Sequence, residues 1–181
     1  MSERREIRNL ALVGFMGSGK STVGRLVARQ GDLEFVDTDE WIESKTGRRI
    51  PAIFSEDGEP AFRALEGDAV RALGERSGLV IATGGGLVCQ PGMMELLKKH
   101  ALVVCLWASP ETIWERVMHQ THRPLLQVPD PRAEIARLLA ARDGHYRQSD
   151  VLVNSGLRSL REVAAQVLHQ YMDVRQRGVM P

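Results

Sequence analysis

The chain has 181 residues, of which 43% are hydrophobic, and this length suits a single domain with one core. The 24 basic and 23 acidic residues leave a formal charge of +1, which argues against nucleic-acid binding through a strongly basic surface. No apolar run approaches the length needed to span a membrane. We expect one domain over residues 1–181, with its core over about 8–175, acting as a monomer in the cytoplasm.

Short apolar runs alternate along the chain with longer segments of helical period. The runs begin at Leu10, Leu33, Leu79, Leu102 and Val151. One helical segment covers residues 60–76, and its apolar face is formed by Phe62, Leu65, Ala69 and Leu73. This alternation predicts an α/β fold, in which a parallel sheet is covered by helices on both faces.

The first apolar run leads into a glycine-rich loop, GFMGSGKS, at residues 14–21. The loop satisfies the pattern G-x-x-x-x-G-K-[ST] and stands between a strand and a helical segment, as that pattern requires. Main-chain N–H groups of such a loop, together with the N-terminus of the next helix, bind phosphate oxygens. The sequence therefore predicts a nucleotide site, in which Lys20 reaches the β- and γ-phosphates and Ser21 binds Mg²⁺. An ordinary glycine-rich turn would not need this lysine and serine.

Two aspartates follow the second apolar run, in the stretch FVDTDEW. If the backbone is still extended here, Asp37 and Asp39 point the same way, toward the sheet edge where α/β proteins bind ligands. One carboxylate could then hold Mg²⁺ through water while the other orients or deprotonates a hydroxyl. The alternative is structural, with Asp39 as the N-cap of the helical segment that follows.

Two further features fit either a binding site or ordinary structure. Gly84, Gly85 and Gly86 follow the third apolar run, where a closely approaching ligand and a simple turn would both favour glycine. Arg63 lies on the helical segment beside its apolar stripe. On the residues alone, a surface ion pair between Arg63 and Glu66 is the favoured interpretation.

A polar loop lies between two helix-start signals. Ser109-Pro110 and Asp130-Pro131 each combine an N-cap residue with a first-turn proline. Residues 119–130 between these helices are polar, interrupted by proline and without a clear period, which is the composition of a lid. Arg123 in this loop could close over a transferring phosphate. Arg142, on the helix after it, reads by itself as a surface charge.

Together these stretches resemble the shikimate kinase family. The matching stretches occur in that family's order and spacing: GFMGSGKST, DTDEWIE, TGRRIPAIFSEDGEPAFRALE, ATGGGLV and HRPLL. Many enzymes share the first, whereas the aspartate pair, the GE-x-x-FR-x-x-E pattern, the triple glycine and RPLL are together much more specific. The resemblance implies a P-loop NTPase fold of the nucleoside-monophosphate-kinase-like type, with a lid and a five-stranded parallel sheet in the order 2-3-1-4-5.

The resemblance also implies the MgATP-dependent phosphorylation of the 3-hydroxyl of shikimate, on the route to chorismate and the aromatic amino acids. The residues it assigns to ATP are Gly17, Ser18, Gly19, Lys20, Ser21, Thr22, Arg116 near the adenine, and Arg123. Those it assigns to Mg²⁺ are Ser21 and Asp37. Those it assigns to shikimate are Asp39, Arg63, Gly85, Gly86 and Arg142, with a shikimate-binding region over about residues 38–65. The catalytic candidates are Lys20, Asp39 as base, and Arg123.

In this interpretation Arg63 and Arg142 hold the shikimate carboxylate. The chain departs from the family near Arg142, because it has Gly144 shortly afterwards where the family usually has a proline. Other kinases remain possible: a gluconate kinase would keep the phosphate loop but should lack the two arginines and the triple glycine, and a nucleoside monophosphate kinase is disfavoured for the same reason. A non-catalytic nucleotide-binding homologue should have lost Lys20, Asp39 or Arg123, and the chain retains all three.

Overall fold

The computed structural model describes residues 5–119 and 128–177. The strands are β1 (Asn9–Val13), β2 (Glu34–Asp37), β3 (Leu79–Ala82), β4 (Ala101–Trp107) and β5 (Val151–Asn154). The helices are α1 (Lys20–Gly31), α2 (Thr38–Thr46), α3 (Ile50–Gly74), α4 (Met93–Lys98), α5 (Pro110–Val117), α6 (Pro131–Tyr146) and α7 (Leu160–Arg177). A single 3-10 turn spans Leu87–Cys89. Each strand coincides with one of the predicted apolar runs.

The strands form one 5-stranded parallel sheet in the order β2-β3-β1-β4-β5, which confirms the predicted fold. Central β1 pairs with β3 on one side and with β4 on the other, so that Ala11 lies opposite both Ile81 and Val103. Every residue of β1 and β3 is buried. Strands buried on both faces need apolar side chains throughout, which is why these segments read as unbroken apolar runs.

Helices cover both faces of the sheet. On one face, α1 and α7 bring Val27 and Val167 against Leu12 and its neighbours. On the other face, α3, α4 and α6 pack against residues such as Val13 and Val103. Two apolar layers of this kind fix the sheet between the helices and leave the loops at the carboxyl ends of the strands free to form a site.

The loop after β1 needs glycine for two reasons. Gly14 has φ 134, and a Cβ atom there would lie 2.4 Å from the carbonyl oxygen of Leu106. Gly19 has φ 99 and caps α1 in the left-handed region, which side chains rarely adopt. These two positions let the chain turn back over the sheet edge and enter α1 directly at Lys20.

Helix α3 begins earlier than the predicted segment over residues 60–76. It contains a break at Gly58, where φ is 81 and ψ is 172, and Pro60 lies in the first turn of the part that follows. Phe62, Ala69 and Leu73 are buried, as the apolar stripe predicts. The earlier part of the helix was missed, although Ile50, Ile53 and Phe54 stand at helical spacing and Pro51 suits a first turn.

The prediction for the second strand is wrong in one respect. The chain is not extended as far as Asp39, because α2 begins at Thr38 immediately after β2. The N-cap of α2 is Asp37, whose Oδ1 accepts a hydrogen bond from the Asp39 N–H at 3.0 Å, and Asp39 lies within the first turn. The two carboxylates are therefore placed by the start of a helix, one at the N-cap and the other in the first turn, rather than by strand alternation, and the proposed cap at Asp39 is two residues too late.

The predicted caps of α5 and α6 are confirmed. Ser109 Oγ accepts a hydrogen bond from the Thr112 N–H, and Asp130 Oδ1 accepts one from the Ala133 N–H. Most of the predicted lid over 119–130, including Arg123, lies outside the described residues. Across residues 5–119 and 128–177, no helix is both long and apolar enough to cross a bilayer.

Two glycine substitutions should have opposite effects on stability. In α1, a Cβ atom on Gly24 would lie 2.5 Å from the Phe35 ring, so Gly24→Ala should lower the free energy of unfolding by about 1–3 kcal/mol through overpacking. In α6, a Cβ atom on exposed Gly144 would meet nothing within 4 Å, so Gly144→Ala should raise it by about 0.5–1 kcal/mol. Urea denaturation measures both, and equal effects of the two variants would contradict the packing of α1 on the sheet.

Candidate active site

A cavity of about 510 Å³ opens at the carboxyl edge of the sheet. The predicted site residues that line it are Gly17, Gly19, Lys20, Ser21, Thr22, Asp37, Asp39, Gly85 and Arg116. Ser18 is fully buried, while Gly86, Arg63 and Arg142 stand outside this lining. The structure thus brings the residues predicted for nucleotide and Mg²⁺ around one cavity, which the triple-glycine loop joins to the residues predicted for the acceptor.

Lys20 folds back over the phosphate loop. Its ammonium group donates hydrogen bonds to the carbonyl oxygens of Gly14 at 2.8 Å and Phe15 at 2.9 Å. As the first residue of α1, Lys20 also stands at the positive end of the helix dipole. The loop therefore presents an ammonium group and a helix N-terminus to the same cavity, an arrangement that suits phosphate oxygens.

Ser21 and Asp37 meet at the edge of the cavity. The Ser21 hydroxyl donates to Asp37 Oδ2 at 3.0 Å, which links the start of α1 to the end of β2. Hydroxyl and carboxylate oxygens are hard donors of the kind that Mg²⁺ prefers, and phosphates and water normally complete its shell. No group of three or more His, Cys, Asp or Glu side chains within the described part of the chain could hold a metal alone. The donor set fits an ion shared with a bound nucleotide.

Asp39 is the most perturbed acid of the cavity. Burial, together with the charges of Asp37 and Glu66, raises its pKa to about 6, and the charge of Lys20 opposes this shift. Its Oδ1 atom is buried and has no hydrogen-bond partner in residues 5–119 and 128–177. A carboxylate with an unsatisfied oxygen and a pKa near neutrality is suited to accept a hydrogen bond or a proton from a bound hydroxyl.

The triple-glycine loop approaches this carboxylate closely. A Cβ atom on Gly84 would lie 3.0 Å from Glu66 Oε1 and 3.2 Å from Asp39 Oδ1. The Gly84 N–H donates to the hydroxyl of buried Thr38 at 3.1 Å. A side chain at position 84 would make tight contacts with both carboxylates, so this close approach favours glycine.

Arg63 pairs with two glutamates that differ in exposure. Its Nη1 donates to Glu66 Oε2 at 2.7 Å, and its Nη2 donates to Glu59 Oε1 at 2.9 Å. The Glu66 side chain is 1% exposed and that of Glu59 is 63% exposed. Glu66 also accepts from Gln90 Nε2 at 2.6 Å, and burial raises its pKa. The predicted pair with Glu66 is present, but it is buried on one side and is not a surface pair.

Arg142 and Tyr146 reach the triple-glycine loop from α6. The Tyr146 hydroxyl donates to the Gly85 carbonyl oxygen at 2.7 Å, and Arg142 Nη1 lies 3.4 Å from the same oxygen. The Arg142 guanidinium is also 5.4 Å from the centre of the Phe15 ring. Arg63 stands near the next residue, 3.4 Å from the position of a Cβ atom on Gly86. The two arginines predicted for the acceptor therefore flank one loop.

Arg116 connects the phosphate loop to the segment after β5. It donates to the Gly17 carbonyl oxygen at 3.2 Å and to the Ser155 carbonyl oxygen at 2.5 Å. The Ser155 hydroxyl donates in turn to the Ser18 carbonyl oxygen at 2.8 Å. Arg116 lines the cavity at this point, beside Leu160.

Sequence reasoning missed Tyr146, Ser155 and Gln90, and it took Glu66 for a surface residue. Glu66 stands on the stripe of α3, four residues after Phe62 and three before Ala69, and this position could have indicated burial. Tyr146 stands one helical turn after Arg142, which could have indicated a shared face. Ser155 and Gln90 gave no signal, because their contacts join segments that are distant in sequence.

Comparison with known proteins is consistent with this geometry. The family model described as "Shikimate kinase" matches residues 16–172. The chain belongs to the shikimate kinase family. A shikimate kinase of Cupriavidus pinatubonensis is 47% identical over 163 residues, which cover 90% of this chain and 85% of that protein. Membership of this family makes the protein an ATP-dependent small-molecule kinase, as the sequence predicts.

Solved structures agree on the fold. A shikimate kinase from Acinetobacter baumannii, in complex with shikimate, superposes with a TM-score of 0.85 at 39% identity and covers 92% of this chain and 94% of its own. A gluconokinase from Sinorhizobium meliloti has a TM-score of 0.57 at 18% identity, with coverage of 96% and 97%. At that identity the second likeness extends to the fold alone.

The raised pKa of Asp39 predicts a stability that depends on pH. The carboxyl ionises near 3.8 in the unfolded chain and at about 6 in the folded one, so stability is lost as pH rises through this window. Asp39→Asn buries no charge and should exceed the wild type in free energy of unfolding by about 1–3 kcal/mol near pH 8, with the difference shrinking toward pH 4. Urea denaturation of both proteins between pH 4 and pH 8, without nucleotide or Mg²⁺, measures this difference in free energy of unfolding. A difference that does not vary with pH would refute the assignment of the shift to Asp39.

Proposed function

We propose that this protein transfers the γ-phosphate of ATP to the 3-hydroxyl of shikimate, giving shikimate 3-phosphate for chorismate and aromatic amino acid biosynthesis. The observation that carries the proposal is the junction of a phosphate loop with a pair of arginines around the triple-glycine loop. A phosphate loop binds a nucleotide in many kinases, whereas a pair of arginines suits a small carboxylic acid. The A. baumannii relative was solved with shikimate, which supports the choice of acceptor.

In this proposal the nucleotide phosphates occupy the loop at residues 14–21. Lys20 would exchange its hydrogen bonds with the Gly14 and Phe15 carbonyl oxygens for phosphate oxygens. Gly17, Ser18 and Gly19 would offer main-chain N–H groups, Thr22 would bind from the first turn of α1, and Arg116 would lie beside the adenine. Arg123, outside the described residues, is assigned by the family resemblance to the transferring phosphate.

Mg²⁺ is the expected ion of this site, held by Ser21 and by Asp37 through water. When bound, it would neutralise charge that develops during transfer. The chain's own contribution is to hold the two ligands together, since Ser21 Oγ and Asp37 Oδ2 are 3.0 Å apart. Asp37 is fixed further because its other oxygen caps α2.

The acceptor would lie between Asp39, the triple-glycine loop and the two arginines. Arg63 and Arg142 would hold its carboxylate, with Gly85 and Gly86 against the ring. Arg63 already keeps one edge of its guanidinium on buried Glu66, so an incoming carboxylate would replace exposed Glu59 at the other edge. Exchanging one carboxylate for another preserves the hydrogen bonding of the arginine.

Asp39 would orient the accepting hydroxyl and take its proton. Its pKa of about 6 leaves it mostly ionised at neutral pH and brings it closer to the pKa that suits a general base. Alignment contributes more than proton removal, because positioning two reactants can supply roughly 7–11 kcal/mol. For the whole chain we propose a single-domain monomer over residues 1–181, with its core over about 8–175, in the cytoplasm.

An ADP-release assay tests the function directly. Purified protein with MgATP should release ADP only when shikimate is added, and phosphorus NMR should identify shikimate 3-phosphate as the product. Gluconate serves as the competing acceptor. Faster ADP release with gluconate would point to a different small-molecule kinase, and nucleotide binding without turnover on either acceptor would indicate a non-catalytic homologue.

Replacement of Arg63 should separate the two substrates. Arg63→Ala should raise the KM for shikimate much more than the KM for ATP, because its proposed partner is the acceptor carboxylate. Since alanine would leave buried Glu66 without its cation, Arg63→Lys is the safer variant: it keeps a charge for Glu66 but loses the planar fork. We expect Arg63→Lys to raise the shikimate KM by roughly tenfold or more.

Arg71→Lys is the matched control for this variant. Arg71 lies on the same helix and pairs with exposed Asp68 at 2.8 Å, away from the proposed acceptor. Both KM values should therefore stay at the wild-type level in this control. Equal rises in the two KM values of Arg63→Lys would remove Arg63 from the acceptor site.

A further inference from the structure

Tyr146 links α6 to the triple-glycine loop through a hydroxyl whose position is fixed. The residue is 2% exposed, and its ring packs in the apolar layer that also contains Phe15, Leu87 and Ile135. A ring held in this way cannot follow a moving loop, so the hydroxyl is a fixed point for whatever it binds. Its acceptor is the Gly85 carbonyl oxygen, at 2.7 Å.

The Gly85 carbonyl belongs to the same peptide unit as the Gly86 N–H. The described peptides are all trans, so these two groups point in opposite directions. Anchoring the oxygen on Tyr146 therefore sets the direction of the Gly86 N–H. Within the described residues, the Gly86 N–H donates to no protein acceptor, and Arg63 lies beside this residue.

A run of three glycines has little intrinsic preference for one conformation, because side chains do not restrict its backbone. Other contacts fix the ends of this run: Gly84 N–H donates to Thr38, and the following turn closes with a Cys89 N–H to Gly86 oxygen bond at 3.1 Å. Between them, the Gly85 carbonyl oxygen accepts a hydrogen bond from the Tyr146 hydroxyl at 2.7 Å, while Arg142 Nη1 lies farther away at 3.4 Å. The middle peptide therefore depends mainly on one hydroxyl.

We propose that Tyr146 is a positioning residue of the acceptor site, which holds the Gly85–Gly86 peptide so that the Gly86 N–H is presented to the bound acid. Arg142 shares in this role, because it precedes Tyr146 by one helical turn and contacts the same carbonyl oxygen. The inference rests on the proposed function, since it assigns a partner to the acceptor site described there. Tyr146 itself touches neither substrate.

Tyr146→Phe removes the hydroxyl and leaves the ring. A pre-ordered hydrogen-bond donor would be lost, so the KM and the dissociation constant for shikimate should rise about two- to tenfold. The KM for ATP and kcat should change less than about twofold, because the hydrogen bond that is lost ends on the triple-glycine loop and not on the phosphate loop or on Asp39. Steady-state kinetics and calorimetric titration with shikimate measure these values.

Tyr171→Phe is a closely matched control. Tyr171 is also fully buried, and its hydroxyl donates to a main-chain oxygen, that of Arg8, at 3.0 Å. It too has an arginine one turn away, Arg175, whose guanidinium is 5.6 Å from the ring centre. It lies in the apolar layer on the opposite face of the sheet. The control should lose similar stability and keep the shikimate KM of the wild type.

Backbone NMR of the unliganded protein gives a readout independent of catalysis. In Tyr146→Phe the Gly86 amide should show a lower order parameter, and in Tyr171→Phe it should not. An unchanged shikimate KM together with an unchanged Gly86 amide would overturn the proposal. A wild-type protein that does not bind shikimate would refute the proposed function instead, while the NMR comparison would still test the anchoring of the loop.

Discussion

The approach of two carboxylates to the α carbon of Gly84 constrains the acceptor side of the site. Glu66 Oε1 and Asp39 Oδ1 lie 3.0 and 3.2 Å from the position of a Cβ atom on Gly84, and like charges in a partly buried position oppose one another. Glu66 is compensated by Arg63 and Gln90. Asp39 keeps an oxygen without a hydrogen-bond partner in the described part of the chain, so its pKa rises. The fold gives up stability here to hold an ionisable carboxylate beside the cavity.

The order of the strands explains why these groups meet. Because β3 lies between β2 and β1, the triple-glycine loop emerges between the Asp37–Asp39 segment and the phosphate loop. It packs against both, since a Cβ atom on Gly85 would lie 3.4 Å from the Met16 nitrogen. The phosphate loop is a contiguous segment that works locally, whereas the acceptor side combines α2, α3, α6 and the loop after β3. The acceptor side of the site therefore depends on the whole fold, whereas the phosphate loop does not.

The contrast between a contiguous phosphate loop and an acceptor side built from distant segments also determines what could be predicted from the sequence. The strands were predictable because strands buried on both faces must be apolar, and the phosphate loop because its chemistry is contiguous. The start of α2 was mispredicted, although Asp37 followed by acidic residues is itself a helix-start signal, because the extension of β2 was assumed to continue. Residue patterns alone gave neither the strand order nor the roles proposed for Arg63 and Arg142, which came from the family resemblance. Ser155 and Gln90 depend on contacts between distant segments, which no local pattern encodes, whereas helical spacing could have indicated Glu66 and Tyr146.

The two glutamates on Arg63 suggest how the site could be prepared for an acid before it binds. Glu66 is buried and holds one edge of the guanidinium, while Glu59 is exposed and occupies the other. An arginine held this way has lost most of its rotamer freedom in advance, so a bound carboxylate would not have to order it. The exposed pair is weak, because solvent screens it, and it can be exchanged at little cost. On the proposed function, Glu66 therefore orients the arginine, and Glu59 occupies the position that the acceptor carboxylate later takes.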